Sequence, residues 1–352
     1  MRGHKKKIKI LGSLALIILL AMLLFNSGTG SFWRFEFNES NQSESRLTYD
    51  PERVGEGGIE LGESFGIALL DAPIGTKEHG MKKSQFLNHG ENLSGYFSVN
   101  NQMHEAYDYL IFCLLDYEQV PFTFDNESGQ ILYKIHLEPY EAGFYPFELN
   151  GIEEGGHDFE IVVIFRPYEN SLNETFRRST RGGHLGSQRQ NLFVGNYSDL
   201  PAVNYTNMSV MSCCSCGSEY MHAEGMLITK EPCSKQLWLT EDVEPGGLLN
   251  YTINAGTYEY PVTFAMMVLL DYKPIPLNVN GTDLVIFGKF EPEEFVAIPA
   301  SLIVPEEKGV HELLVLWFPV PYKRLETSPG VIVRFEQWFW TDTSTRVGLN
   351  VT

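Results

Sequence analysis

The chain has 352 residues, with 26 Lys and Arg against 45 Asp and Glu, for a formal charge of −19. A surface that acidic repels nucleic acid and anionic lipid, which excludes the nucleic-acid-binding classes. No Gly-rich phosphate loop opens a helix and no Gly-x-Ser-x-Gly elbow is present, so neither a P-loop NTPase nor an α/β hydrolase is indicated and no cofactor is expected.

At the N-terminus, Lys5, Lys6, Lys7 and Lys9 precede an uncharged run from Ile10 to Phe25. Its length lies between that of a signal-peptide core and that of a comfortable span of about 20 residues. No small-x-small cleavage site and no lipobox cysteine follow, and Phe32 and Trp33 sit where an outer aromatic belt would. Residues 1–30 therefore read as a transmembrane anchor, with a cleaved signal helix and a secreted product as the alternative. In both cases the basic flank stays inside and the rest of the chain is placed outside. Residues 31–58, which include FNESNQSESR and GEGG, read as a polar stalk.

Sequons support that location. Asn38, Asn41, Asn92, Asn126, Asn173, Asn196, Asn204, Asn207, Asn250, Asn280 and Asn350 each open an Asn-x-Ser/Thr tripeptide with no Pro in the middle. These are eleven of twenty asparagines, a density that chance explains poorly and that points to N-glycans on an exported protein. With the short basic anchor, the pattern suggests an archaeal cell envelope.

The body of the chain is one module written twice. LLDYEQVPF from Leu114 returns as LLDYKPIPL from Leu269. Upstream, Tyr96 to Val99 aligns with Tyr251 to Asn254 at the same offset. Downstream, Leu137-Glu138-Pro139 aligns with Phe290-Glu291-Pro292, Pro146 with Pro299, and EEGGHDFEIVVIFRPY from Glu153 with EEKGVHELLVLWFPVPY from Glu306. Within each copy, short runs rich in β-branched and aromatic residues are separated by Asn, Gly, Pro and Glu clusters. No exported stretch shows sustained helical periodicity. The expectation is all-β: two tandem sandwich domains, at 59–196 and 218–352, with 197–217 as a linker carrying a Cys cluster.

The recurring polar residues are Asp116, Tyr117, His157 and Asp158 in the first copy, and Asp271, Tyr272, His311 and Glu312 in the second. His and carboxylates suit both acid/base catalysis and metal binding. A catalytic constellation rarely survives in both copies of a duplication, whereas turns that determine a fold do. The reading is structural, with Asp bonding backbone amides and Tyr bracing its own sandwich. No catalytic residue is assigned.

An apolar strand ending in Asp-Tyr, a strand closing in Leu-Glu-Pro and Gly-His-Asp-Phe leading into an alternating strand together resemble the CARDB-like and other immunoglobulin-like sandwich modules of bacterial and archaeal surface proteins. The Pro-Gly-Glu turn of those modules here reads Pro139-Tyr140-Glu141 and Pro292-Glu293-Glu294, without its Gly. The resemblance implies a spacer, adhesion or assembly role and no chemistry.

Among five cysteines, Cys113 lies in an apolar strand where the second copy has Val268, as a small hydrophobe would. Cys213, Cys214, Cys216 and Cys233 are disulfide candidates outside the membrane. A metal site made of all four, or of three of them with His222, is the sharper alternative, but the spacing lacks the paired Cys-x-x-Cys of a zinc ribbon. Gly182, Gly183 and His184 read as linker. The functional expectation is a membrane-anchored, N-glycosylated structural or adhesion protein whose partners are envelope proteins or glycans. The alternative is a solute- or glycan-binding module stacking ligand on Trp238, Trp317, Trp338 or Trp340. A secreted hydrolase or metal-binding protein ranks behind both.

Overall fold

The computed structural model describes residues 46–48, 65–70, 84–208, 225–234, 236–256, 261–292, 294–325 and 341–352. The expected anchor, Asn38, Asn41, Cys213, Cys214, Cys216, His222, Trp338 and Trp340 lie outside the described residues.

The first copy holds β1 (Arg46–Thr48), β2 (Phe65–Leu70), β3 (Ser84–Leu87), β4 (Leu93–Asn101), β5 (Tyr107–Leu115), β6 (Glu118–Val120), β7 (Phe122–Phe124), β8 (Glu127–Gln130), β9 (Leu132–Leu137), β10 (Glu141–Leu149) and β11 (Gly155–Phe165), then helix α1 (Glu174–Gly183) and β12 (Leu185–Val194). The second holds β13 (Thr206–Asn207), β14 (Gly225–Thr229), β15 (Thr240–Val243), β16 (Leu248–Gly256), β17 (Val262–Leu270), β18 (Lys273–Ile275), β19 (Val285–Phe290), β20 (Phe295–Ile303), β21 (Gly309–Pro319), β22 (Asp342–Thr343) and β23 (Val347–Val351).

Each copy is a β-sandwich of immunoglobulin-like build. One layer is β2-β4-β10 in the first copy and β14-β16-β20 in the second; the other is β3-β12-β11-β5 and β15-β23-β21-β17, with β9 and β19 beyond β5 and β17. Even the parallel pairing of a short strand with the last one recurs, as β3 with β12 and β15 with β23. Each sandwich encloses its own core, around Phe97, Tyr109, Ile161 and Leu192 in the first copy and around Ile253, Phe264, Val315 and Leu349 in the second.

The structure corrects several expectations. Residues 46–48 of the expected stalk form β1 and pair with β10, where Leu47 faces Ala142. Within the expected linker, Thr206 and Asn207 pair with Gly288 and Lys289, and Met208 is buried in the second core. Gly182 and Gly183, expected as linker, close helix α1, which is capped by Asn173, whose side chain accepts from the Thr175 and Phe176 amides. Its sequence is polar on most faces, and between Glu174 and Arg181 only Phe176, Arg177 and Thr180 are buried, which is why a hydrophobic period does not reveal it. The Tyr96–Tyr251 equivalence is shifted by one residue. Phe97 and Val99 point into the first core, whereas Tyr251, Ile253 and Ala255 point into the second, and a single-residue slip reverses every side chain.

The copies do not stand in series. The sheet that holds β5 and β11 and the sheet that holds β17 and β21 pack face to face around Leu110, Phe112, Leu114, Tyr117, Val162 and Ile164 from the first copy and Ala265, Met267, Leu269, Tyr272, Leu314, Leu316 and Phe318 from the second, all buried. Alternate residues of β5, β11, β17 and β21 thus face a sandwich core and the seam between sandwiches. That double burial accounts for the unbroken apolar runs YLIFCLL and LLVLWF. Burying a large apolar side chain stabilises by about 1.5–3 kcal/mol, so a seam of this size strongly favours the docked arrangement.

Candidate functional site at the seam between the two copies

The duplicated motif sits at this seam. Asp116-Tyr117 and Asp271-Tyr272 are the two central residues of hairpins in which Leu115 pairs Glu118 and Leu270 pairs Lys273. Both residues of each turn have positive φ, 52° and 67° in the first and 50° and 64° in the second. That is the backbone of a type I′ hairpin, costly for a residue as bulky as Tyr.

Side-chain bonds hold the turn in that shape. Asp116 Oδ1 accepts from the Asp158 amide at 3.0 Å, and Asp271 Oδ1 from the Glu312 amide at 2.9 Å. The other carboxylate oxygen of each meets an imidazole: His157 Nδ1 to Asp116 and His311 Nδ1 to Asp271 are both 2.6 Å. The remaining ring nitrogens face the carbonyls of Glu153 at 3.0 Å and Glu307 at 2.9 Å. Each imidazole lies between two groups that only accept, so both nitrogens carry protons in this arrangement. The hydrogen bond that His157 donates to Asp116 raises the His157 pKa against its burial. Burial alone would lower His311, but Asp271 and the Glu307 carbonyl outweigh it and the net shift is upward. Neither ring keeps a lone pair for a metal or for general-base work.

Beyond the turns lies a buried polar network with approximate two-fold symmetry. Tyr117 Oη donates to Asp158 Oδ2 at 2.7 Å and accepts from Arg189 at 3.0 Å. Arg189 also pairs with Asp158 and reaches across to donate to the carbonyls of Pro319 at 2.7 Å and Val320 at 3.0 Å. In the mirror arrangement, Tyr272 donates to Glu312, and Arg346 donates to Tyr272 at 2.7 Å, to Glu312 at 2.6 Å and to the carbonyls of Phe165 and Arg166, both at 2.8 Å. Burial pushes the Tyr117 and Tyr272 hydroxyls upward, so both remain protonated donors.

The symmetry breaks opposite Asp158 and Glu312. Asn191 donates to Asp158 at 2.6 Å in the first copy, but its equivalent is Gly348. A Cβ on Gly348 would lie 3.0 Å from Arg177 Nε. The missing side chain leaves room for Arg177, which comes from α1 and pairs with Glu312. Thr180 Oγ1, from the same helix, accepts from the Arg346 amide at 2.8 Å. Helix α1 therefore latches the first sandwich onto the second.

Tyr117 and Tyr272 bond Asp158 and Glu312 of their own sandwiches through their hydroxyls, and both also reach the other copy. The ring of Tyr117 packs edge-on against Phe287, Phe318 and Tyr322 of the second copy, and Tyr272 accepts from the Tyr168 amide of the first at 3.2 Å. Strand patterns do not reveal Arg177, Arg189 and Arg346; the available signal for the last two was an Arg at matching positions of the two closing segments, two residues before Asn191 and Gly348. Glu160 is buried on the same face, accepts from Thr341 and is pushed up to about 7 by burial.

The remaining candidates are placed as follows. Trp238 and Trp317 are buried in the second core, with Trp317 stacked on Phe264 and Phe290, so neither offers a stacking platform to a ligand. Cys113 is a free, buried thiol whose pKa burial raises. Cys233 is not free. His184 is not linker but a buried ring against Phe165 and Phe176. No cluster of three or more His, Cys, Asp or Glu arranged for a metal occurs among the described residues.

Of the sequon asparagines among the described residues, Asn92, Asn126, Asn173, Asn196, Asn204, Asn207, Asn250 and Asn280 are exposed. Asn350 is half-buried, and its amide donates to Asp242.

No family model and no curated protein sequence matches the chain. Among solved structures, the chain is similar to the CARDB domain of the PF1109 protein from Pyrococcus furiosus, described in complex with di-metal ions: 12% identity, 38% of this chain and 94% of that one, TM-score 0.21. It is also similar to an ASH/PapD-like domain of human CEP192 (11% identity, 49% and 99%, TM-score 0.22) and to fibronectin(III)-like modules of Clostridium thermocellum CbhA (10% identity, 82% and 94%, TM-score 0.18).

Proposed function

We propose that this protein is a membrane-anchored, N-glycosylated structural or adhesion component of a cell envelope, in which the two sandwiches work as one rigid block. The observation that carries the reading is the exposure of eight described sequon asparagines on the surface of an otherwise tightly packed double sandwich. A glycan cannot enter a core, so a chain whose sequons arose by chance would bury more of them. The seam supports the rigid-block part: its apolar surface and buried ion pairs oppose a hinge between the copies. The N-terminal apolar segment supplies the tether, and Cys233 pairs with one of Cys213, Cys214 or Cys216. Partners are envelope proteins or glycans meeting the outer faces of the block.

The test is intact-protein mass spectrometry of material from the native membrane fraction. Several glycans on a chain that retains residues 1–30 are expected. An unmodified polypeptide recovered from the soluble fraction would overturn the reading.

A further inference from the structure

The outer face of β14-β16-β20 ends in an exposed apolar pair. Leu248 and Ile303 are cross-strand partners with 58% and 54% of their surface accessible. Asn250 faces Ser301 one step further along. Side chains two apart on a strand share a face, and neighbouring strands lie about 4.8 Å apart, so Asn250 stands directly beside the pair.

A second sequon approaches from the other side. The loop after β18 closes on Ser301: the Ser301 amide donates to the Leu277 carbonyl at 3.0 Å, and the Val279 amide donates to Ser301 Oγ at 3.3 Å. Val279 is 39% exposed, and Asn280 follows it, exposed. Leu248, Ile303 and Val279 thus form an apolar patch bracketed by two sequons.

The first copy is the internal comparison. With the one-residue shift between β4 and β16, the positions of Leu248, Asn250, Ser301 and Ile303 correspond to Asn92, Ser94, Glu148 and Asn150, all polar. The apolar pair is specific to the second copy, where a sequon stands in place of Ser94.

We propose that N-linked glycans on Asn250 and Asn280 lie over Leu248, Ile303 and Val279, with the carbon-bound hydrogens of the sugar rings covering what would otherwise be an open apolar patch on a strand end. This rests on the glycosylated reading above. The cover serves the same purpose as charge or proline at other sheet margins, which is to keep one copy of the chain from adhering to the next through exposed apolar strands.

The experiment is hydroxyl-radical footprinting read by mass spectrometry on full-length protein from a glycosylating host. It compares the native chain with Asn250→Gln combined with Thr282→Ala, which removes the second sequon at an exposed position without altering Asn280. Leu248 and Ile303 should be oxidised several-fold more slowly in the native chain, while Phe86, 63% exposed on the other sandwich, reacts equally in both and reports an intact fold. Peptide mapping of the same samples separates the failures. Occupied Asn250 and Asn280 with unchanged oxidation of Leu248 and Ile303 would overturn the cover and leave the glycosylated reading standing. Bare Asn250 and Asn280 with sugar elsewhere would do the same. No sugar at any sequon would overturn both.

Discussion

Arg189 and Arg346 each leave their own sandwich to donate to two consecutive carbonyls at the end of the other sandwich's central strand, Pro319 and Val320 in one direction and Phe165 and Arg166 in the other. Each is also paired with a buried carboxylate of its own copy, Asp158 or Glu312. The duplication therefore folds as an internal pseudo-dimer, in which each copy completes the polar seam of the other.

Removing one arginine strands its carboxylate. Arg189→Met is expected to destabilise the protein by about 3–5 kcal/mol, because Asp158 would remain buried without its counter-charge. Combining it with Asp158→Leu should recover most of that loss, since an apolar pair of similar volume is often neutral. Urea denaturation of the wild type, both single variants and the double variant closes the cycle. Additive losses would show that the two side chains do not act as a pair.

The tyrosines make a smaller and symmetric contribution. Tyr117→Phe and Tyr272→Phe each delete a buried hydroxyl that bridges a carboxylate and an arginine, at an expected cost of about 1–2 kcal/mol. Because both rings sit in the seam, each change should lower the stability of the whole molecule in a single transition. Two resolved unfolding steps with only one moved would show that the copies are energetically separate.

Cutting the connection should not part the copies. A protease site inserted between residues 209 and 224, once cleaved, is expected to give two fragments that still migrate together on size exclusion under native conditions and separate only in denaturant. Fragments that elute apart without denaturant would contradict a stable seam.

Stability should fall on both sides of a pH optimum. His157 and His311 have pKa values raised above the ordinary 6.5, so their stabilising contribution is full below 6.5 and is lost as pH rises through the raised values. Glu160, raised from 4.5 to about 7, adds a further loss as pH rises across that range. On the acid side, burial lowers His184 to about 3, so its contribution is present above 6.5 and is lost as pH falls towards 3. Melting temperatures across pH for the double variant His157→Asn, His311→Asn should show a flatter alkaline limb than the wild type. An unchanged limb would mean that these rings do not titrate with the fold.

Sequon use should follow exposure. Asn126, at the tip of the β7–β8 hairpin with φ 67°, and Asn280 are expected to carry glycans, whereas Asn350, half-buried and bonded to Asp242, is expected to stay bare. Glycopeptide mapping of native protein decides this, and sugar on Asn350 with none on Asn126 would reverse the ordering.

The linear sequence determined the class of structure and its duplication. Strand-length apolar runs, the repeated Asp-Tyr turns and the His-Asp and His-Glu pairs each lie within a short stretch of chain, so their type and their repetition can be read without knowing which distant residues they meet. Even the double burial of the central strands was written in YLIFCLL and LLVLWF, since a sandwich with one solvated face would alternate. Only the tertiary structure decided how the copies meet. Which face of β5 or β17 turns inward is a choice between two apolar faces, and the partners that settle it are far apart in sequence: Arg189 with Pro319, Arg346 with Phe165, and Arg177 with Glu312 across the gap left by Gly348. Period and propensity carry no term for such contacts. An arginine in or just before a closing strand becomes a clamp only when the other sandwich brings two carbonyls to its guanidinium.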